Sequence, residues 1–395
     1  MSIFVTGATG FLGSYVVQCL LEESRERLAL LVRARDERGA IDKLWRAMQL
    51  HRRPSEFAEV LDRVDFVFGD LTAPGLGIDE GSRKRVVRDV DSIVHITASL
   101  NRLSEKACLN TNLRGTLAVT RLAREIADGP GLRRFSHVST VAVAGKRDRE
   151  VVMEDTAIDW DRSDYDPYGR TKKFCEHMVR ELLGDVPLTF FRPSIVMGDS
   201  RFPETSQFDM VRAFCVLADL PVIPFRGDVH LDIVNADFVG RAVARLHLKT
   251  KPKHDIYHLS SGTAAMTAEE VARALSKALN RRPRPFVPVL EGPFSAIVEG
   301  LNRFPRGNAI SLTSALFKVF LPYITYDTVF DNTRVTRELG IAPTPFTEYC
   351  DGLYRFAKSV GFEYPFAPLS ADLLDPTRKP KSNGRKRSRA AEAQR

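Results

Sequence analysis

The chain has 395 residues, 44% of them hydrophobic and 27% charged, which supplies a large core and excludes a disordered protein. Its formal net charge of +8 does not mark a nucleic-acid surface, because residues 378–395 hold eight Lys and Arg against the single acid Glu392 and so carry +7 of it. Lacking aromatic residues to stack on bases and an apolar face to dock, this segment reads as a disordered basic tail, capable of weak contact with an anionic membrane and not implying nucleic acid.

Met1-Ser2-Ile3-Phe4-Val5 has none of the basic start and long apolar run of a secretory signal, so a cytoplasmic protein is expected. The first strand, 2–6, runs into Thr6-Gly7-Ala8-Thr9-Gly10-Phe11-Leu12-Gly13 and a helix over 11–23. Three glycines at this spacing serve a tight turn, close backbone approach to a pyrophosphate and close packing of helix on strand. Free amides at the helix start then favour phosphate. Gly7, Thr9, Gly10, Phe11, Leu12 and Gly13 are therefore the candidate phosphate loop of a dinucleotide site. The second strand, 28–33, ends in Arg33, where an NAD-binding protein places an acid. A guanidinium there suits the 2′-phosphate of NADP(H), with Arg35 assisting. Asp36, close by, argues the other way.

Strands at 64–68, 92–96, 134–139 and 188–192 alternate with helices at 36–50, 79–89, 104–127 and 165–183, the pattern of an α/β, Rossmann-type doubly wound parallel sheet. The fifth strand ends in Ser139 and Thr140 at the sheet edge where ligands bind in such folds. Asp166-Pro167-Tyr168-Gly169-Arg170-Thr171-Lys172 provides an N-cap, a first-turn proline, and Tyr and Lys four apart on one helix face. A phenol ordinarily titrates near pH ~10, and a nearby ammonium and helix N-terminus both favour phenolate, which would let Tyr168 exchange a proton with a substrate oxygen. A unit at 231–234, its helix to 248 and a strand at 254–259 return to the sheet. Residues 1–262 are thus read as the NADP(H)-binding Rossmann domain, with 196–228 contributing to a smaller, mostly helical C-terminal substrate lobe at 263–377. Ala309 to Phe330 is apolar but broken by Lys318 and Pro322, which argues against a spanning helix. Cys19, Cys108, Cys175, Cys215 and Cys350 are scattered without metal-ligand spacing and read as packing residues, with no metal implied.

Taken in order over about residues 1–262, these features resemble the extended short-chain dehydrogenase/reductase superfamily. Further matches are Gly69-Asp70-Leu71, Val94-His95-Ile96-Thr97-Ala98, Asn112-Leu113-Arg114-Gly115-Thr116 and Arg192-Pro193-Ser194-Ile195-Val196-Met197-Gly198. Leu31-Val32-Arg33-Ala34, Gly69 through Gly77, His137-Val138-Ser139-Thr140 and the late Phe330-Asp331-Asn332-Thr333 look most like its thioester reductase and fatty acyl-CoA reductase branch, the male-sterility-like NAD-binding group. Thr171 departs from the usual Ser, the terminal region matches only in fragments, and no activating or carrier domain is expected.

The resemblance implies Thr140, Tyr168 and Lys172 as the catalytic residues, Lys172 also binding ribose. It implies Asp70 and Leu71 as adenine contacts, Ala98 beside the cofactor, and Pro193, Ser194 and Ile195 on the nicotinamide side. Asn112 would support a proton path or simply pack, and His95 would be structural. The implied activity is NADPH-dependent reduction of a fatty acyl thioester, on CoA or acyl carrier protein, to aldehyde, from which a second hydride could give an alcohol. The alternative is a dehydrogenase, reductase or epimerase of a sterol-like or nucleotide-sugar alcohol or ketone. Phe208, Met210, Phe214, Val216, Leu217, Leu312, Leu316, Phe317, Phe320 and Tyr323 would line an acyl chain or else form the lobe's own core.

Overall fold

The computed structural model describes residues 2–102, 104–301, 317, 321 and 325–370. Seven strands form the main sheet: β1 (Ser2–Thr6), β2 (Arg27–Val32), β3 (Val64–Phe68), β4 (Val90–His95), β5 (Arg134–Val138), β6 (Leu188–Pro193) and β7 (Ile256–Leu259). Their order in space is β7-β6-β5-β4-β1-β2-β3, and every pairing is parallel. Near-continuous apolar runs such as Ile3-Phe4-Val5 form these strands because both faces of a parallel sheet are covered.

Helices α1 (Phe11–Glu23) and α2 (Glu37–Met48) bury Val16, Val17, Leu20, Leu44 and Trp45 on one face. Helices α3 (Glu80–Asp89), α4 (Gly115–Asp128) and α5 (Pro167–Leu182) cover the other with Val86, Val119, Leu122, Ile126 and Val179. The helix expected at 104–127 is interrupted by a π-helical stretch, Leu109–Arg114, before α4. Winding reverses between β1 and β4, which opens a crevice at the C-terminal ends of those strands.

The smaller lobe is built on α6 (Asp209–Asp219), with α7 (Ala236–Leu248) returning the chain to the sheet. Then come α8 (Ala268–Ala278), α9 (Thr333–Leu339) and α10 (Cys350–Ser359). Cys215, Val271, Leu275, Leu353 and Ala357 form its core. The single strand expected at 231–234 is two short ones, His230–Leu231 and Ile233–Val234, parted by Asp232.

The chain does not stay in the lobe. Thr328–Phe330 pairs in parallel with Glu150–Val152, and Val335 of α9 is buried in the main core. Glu338 accepts hydrogen bonds from the Tyr257 hydroxyl at 2.5 Å and from Lys249 at 2.8 Å. Farther on, the Ala367 carbonyl accepts from Trp45 Nε1 at 2.8 Å on α2. Among the described residues no helix is long and apolar enough to cross a membrane. Most of the apolar run at 309–330, and the basic tail, lie outside the described residues.

Candidate active site

The turn after β1 brings its glycines into contact that no side chain would permit. A Cβ on Gly13 would lie 1.9 Å from the Gly7 carbonyl oxygen, and Gly7, at φ +80°, backs onto the Thr97 amide. The Gly10 amide donates to the Gly7 carbonyl at 3.0 Å. Helix α1 starts with no side-chain cap and no acid in its first turn, so its amides are left for an anion. This is the chemistry a dinucleotide pyrophosphate requires, and the loop fits it.

Buried hydrogen bonds fix the frame around the loop. Thr6 Oγ1 lies 2.7 Å from His95 Nδ1, and His95 Nε2 lies 2.9 Å from Thr116 Oγ1, tying β1, β4 and α4 together. Burial pushes the His95 ring down to about 3, so it stays neutral and serves as a strut. Asn112, in the π-helical stretch, accepts from the Ser99 amide at 2.7 Å and donates to Thr171 Oγ1 at 3.0 Å. Its side chain thus holds the loop after β4 against α5.

A cavity of about 480 Å³ opens over this frame at the ends of β1, β4, β5 and β6. The glycine loop with Thr9, Phe11 and Leu12, then Ala98, Thr140, Tyr168, Lys172 and Pro193 to Ile195 all line it. The Thr140 hydroxyl accepts from the Ala142 amide at 3.2 Å, capping a short 3₁₀ turn and leaving its own proton to be donated. Ser139 lines the same wall. Asp166 caps α5 by accepting from the Gly169 amide at 2.8 Å, which sets Tyr168 and Lys172 over the cavity. Buried Lys172 donates to the Val138 carbonyl at 2.7 Å.

The electrostatics differ from the sequence expectation. Tyr168 is pushed up to about 12, because removal of the phenol from water outweighs the neighbouring positive charge. The cation that chiefly opposes this shift is Arg102, whose guanidinium carbon lies 4.5 Å from the ring centre. Arg102 Nη1 also meets Asp166 Oδ2 at 3.0 Å. Burial lowers the Lys172 ammonium as well. Asp232, between the two short strands, lines the cavity and is raised to about 6 by burial.

Three residues expected at the cofactor do not line this cavity. Arg33, its side chain 79% exposed, lies at the end of β2 with Nη1 3.6 Å from Asp70 Oδ2. Asp70 follows β3 and is held below the usual carboxylate range first by hydrogen bonds from Thr72 and then by Arg33. Leu71 is buried beneath α4, where a Cβ on Gly115 would come within 2.6 Å of it.

The apolar residues also divide. Met210 lines the main cavity, whereas Phe214 and Leu217 line a separate apolar cavity against α8. Phe208 stacks on Phe356 inside the lobe at 6.3 Å, and Val216 lines neither cavity. Phe317 packs edge-on against Phe294, while Leu312, Leu316, Phe320 and Tyr323 lie outside the described residues. Sequence reasoning missed Arg102, Tyr165, His230 and Tyr326, all of which line the main cavity. They sit in irregular segments or very short strands, where no periodicity marks them.

Residues 5–243 match the family described as male sterility protein. Among curated proteins, the chain is 26% identical over 245 residues to the fatty acyl-CoA reductase wat of Drosophila melanogaster, covering 54% of this chain and 46% of that one. It is 26% identical over 286 residues to a carboxylic acid reductase of Mycobacterium marinum, covering 65% of this chain and 24% of that one. The chain thus spans less than half the length of each. Among solved structures, the terminal R domain of the myxalamid PKS-NRPS biosynthetic pathway superposes with a TM-score of 0.77 at 22% identity, over 91% of both chains.

Proposed function

Because the chain belongs to the male sterility protein family, within the NAD(P)-dependent oxidoreductases of the extended short-chain dehydrogenase type, we propose that it uses NADPH to reduce an acyl thioester to an aldehyde, and the aldehyde onward to an alcohol. The observation that carries this reading is the convergence of Thr140, Tyr168 and Lys172 on the cavity that the glycine loop enters. The reductase relatives supply the substrate class.

The glycine loop and the amides of α1 would hold the pyrophosphate, Lys172 the ribose, Pro193 to Ile195 the nicotinamide side, and Arg33 the 2′-phosphate. The cofactor supplies hydride to the carbonyl carbon. The chain's own residues manage the oxygen. Thr140 donates its free proton to the carbonyl oxygen, and Tyr168 transfers its proton to the oxyanion as charge develops. A phenol held up at about 12 keeps that proton at neutral pH, as a donor must in the reducing direction. Rupture of the carbon–sulfur bond of the resulting hemithioacetal yields aldehyde and thiol. Met210, Leu100, Val196 and Phe330 give the cavity apolar walls for the acyl group.

The test is NADPH consumption with acyl-CoAs of increasing chain length, 3-ketosteroids and nucleotide sugars. We expect turnover of acyl-CoAs, with kcat/KM rising as methylenes are added up to a limit. Negligible activity on every thioester together with brisk turnover of a steroid or nucleotide sugar would overturn the reading.

A further inference from the structure

A cation that the sequence does not announce stands over Tyr168. The Lys172 ammonium, four residues along α5, donates to the Val138 carbonyl at 2.7 Å. The charge over the phenol ring comes from the loop after β4: the Arg102 guanidinium carbon stands 4.5 Å from the ring centre. At this spacing a planar cation lies on the negative face of the ring, and its attraction grows as the ring gains charge. Arg102 lines the cavity with Tyr168 and has only 17% of its side chain exposed, so water screens it weakly.

The guanidinium is fixed in place. Its Nη1 meets Asp166 Oδ2 at 3.0 Å, and the other oxygen of that carboxylate accepts the Gly169 amide at 2.8 Å, capping the helix that carries Tyr168. One aspartate therefore sets both the start of the catalytic helix and the cation above its tyrosine. A lysine would lack the flat, forked group that can stack on a ring while bonding sideways to a carboxylate.

We propose that Arg102 is a positioning residue for proton transfer, holding the Tyr168 phenol and stabilising the negative charge it acquires as its proton passes to the substrate oxygen. The proton moves from the Tyr168 hydroxyl to the oxyanion, the phenolate left behind faces Arg102, and solvent returns the proton. The titratable groups acting on the ring are Arg102 and Cys108 on the β4 side, and Asp166 and Cys175 at its own helix. Of these, Arg102 is the fixed positive charge most able to favour phenolate, because Arg stays protonated at any working pH.

The proposal rests on Tyr168 as the proton donor of the proposed reaction, so the assay pairs decanoyl-CoA with free decanal. Arg102→Met is expected to lower kcat on the order of tenfold to a hundredfold on both substrates. KM and NADPH affinity should change little, and the solvent deuterium isotope effect should rise as proton transfer becomes slower. Arg102→Lys should recover part of the rate. In a Tyr168→Phe background, Arg102→Met should cost almost nothing further, because the two residues act as one unit.

Additive losses in the double variant, or a loss confined to KM, would overturn the proposal and make Arg102 a substrate contact. A fall in melting temperature and NADPH affinity that fully accounts for the rate loss would overturn it in favour of a structural role. If decanal is reduced and decanoyl-CoA is not, the thioester reading fails, yet the Arg102 comparison is still read on decanal.

Discussion

The Asp36 carboxylate accepts a hydrogen bond from the Gly39 amide at 2.8 Å and so caps helix α2. The acid that competes in sequence for a ribose thus has one oxygen committed to a helix cap, three residues beyond the exposed Arg33. Arg33→Asp should weaken NADPH binding by about 2 kcal/mol, the worth of a charge-assisted contact, and spare NADH. Fluorescence titration with both cofactors checks this, and equal affinity of the native chain for the two would refute the assignment.

Tyr168→Phe removes one hydroxyl and little volume. The variant should fold and bind NADPH while kcat drops roughly a hundredfold to ten-thousandfold. Steady-state kinetics on the preferred substrate decides it; near-native turnover would remove Tyr168 from proton transfer.

With a Cβ at position 13 only 1.9 Å from the Gly7 carbonyl, Gly13→Ala has to displace the loop or the start of α1. Cofactor affinity should collapse while the secondary structure seen by circular dichroism persists. A native Kd in this variant would show that the loop does not seat the pyrophosphate.

Arg192 and Glu176 form a two-point ion pair at 3.0 and 2.7 Å between β6 and α5, with side chains 5% and 0% exposed. Removing one partner strands a buried charge, so Arg192→Met should destabilise the fold by about 3–5 kcal/mol. Denaturant unfolding measures it, and a cost below about 1 kcal/mol, the level of an exposed pair, would be inconsistent with the pair's burial.

Buried Glu154 accepts from the His258 and Arg334 amides, yet desolvation still lifts it to about 7. The folded carboxyl thus holds its proton more tightly than the unfolded one. Its contribution to stability is whole below pH about 4.5 and is lost as pH rises through about 7. Glu154→Gln cannot titrate, so unfolding free energies at several pH values should show this particular decline missing in the variant. Parallel curves for the two proteins would disprove the linkage.

Much of this was legible in the sequence because the signals are local. Ile3 to Gly13 combine an apolar strand, three glycines and a helix start within a dozen residues, and Asp166 to Lys172 combine a cap with a spaced pair. Arg102 was not legible, since it lies on an irregular loop and reaches Tyr168 only through the packing of α5. The raised Tyr168 was hidden for a related reason: burial is set by neighbours distant in the chain. Phe208 and Met210 look alike as apolar helix-side residues and both pack against the lobe's core, but only the fold shows that Met210 also lines the cavity. Thr328–Phe330 is three residues long, too short for a periodic pattern to announce its pairing with Glu150–Val152.

That late pairing bears on how the chain reaches its native state. The Thr328 hydroxyl bonds the Arg147 carbonyl across 181 positions, and Glu338 closes on Tyr257 and Lys249 from 81 and 89 positions away. Closures of this span raise contact order and are made late, after the entropy of a long loop has been lost. During synthesis, the sheet edge at β7 and the wall carrying Glu154 have to wait for residues near 338 before their polar groups are satisfied. A truncated chain stopping after β7 would leave Tyr257 without Glu338 and Glu154 with the His258 amide alone, so the last third of the sequence completes polar groups that the first two thirds bury.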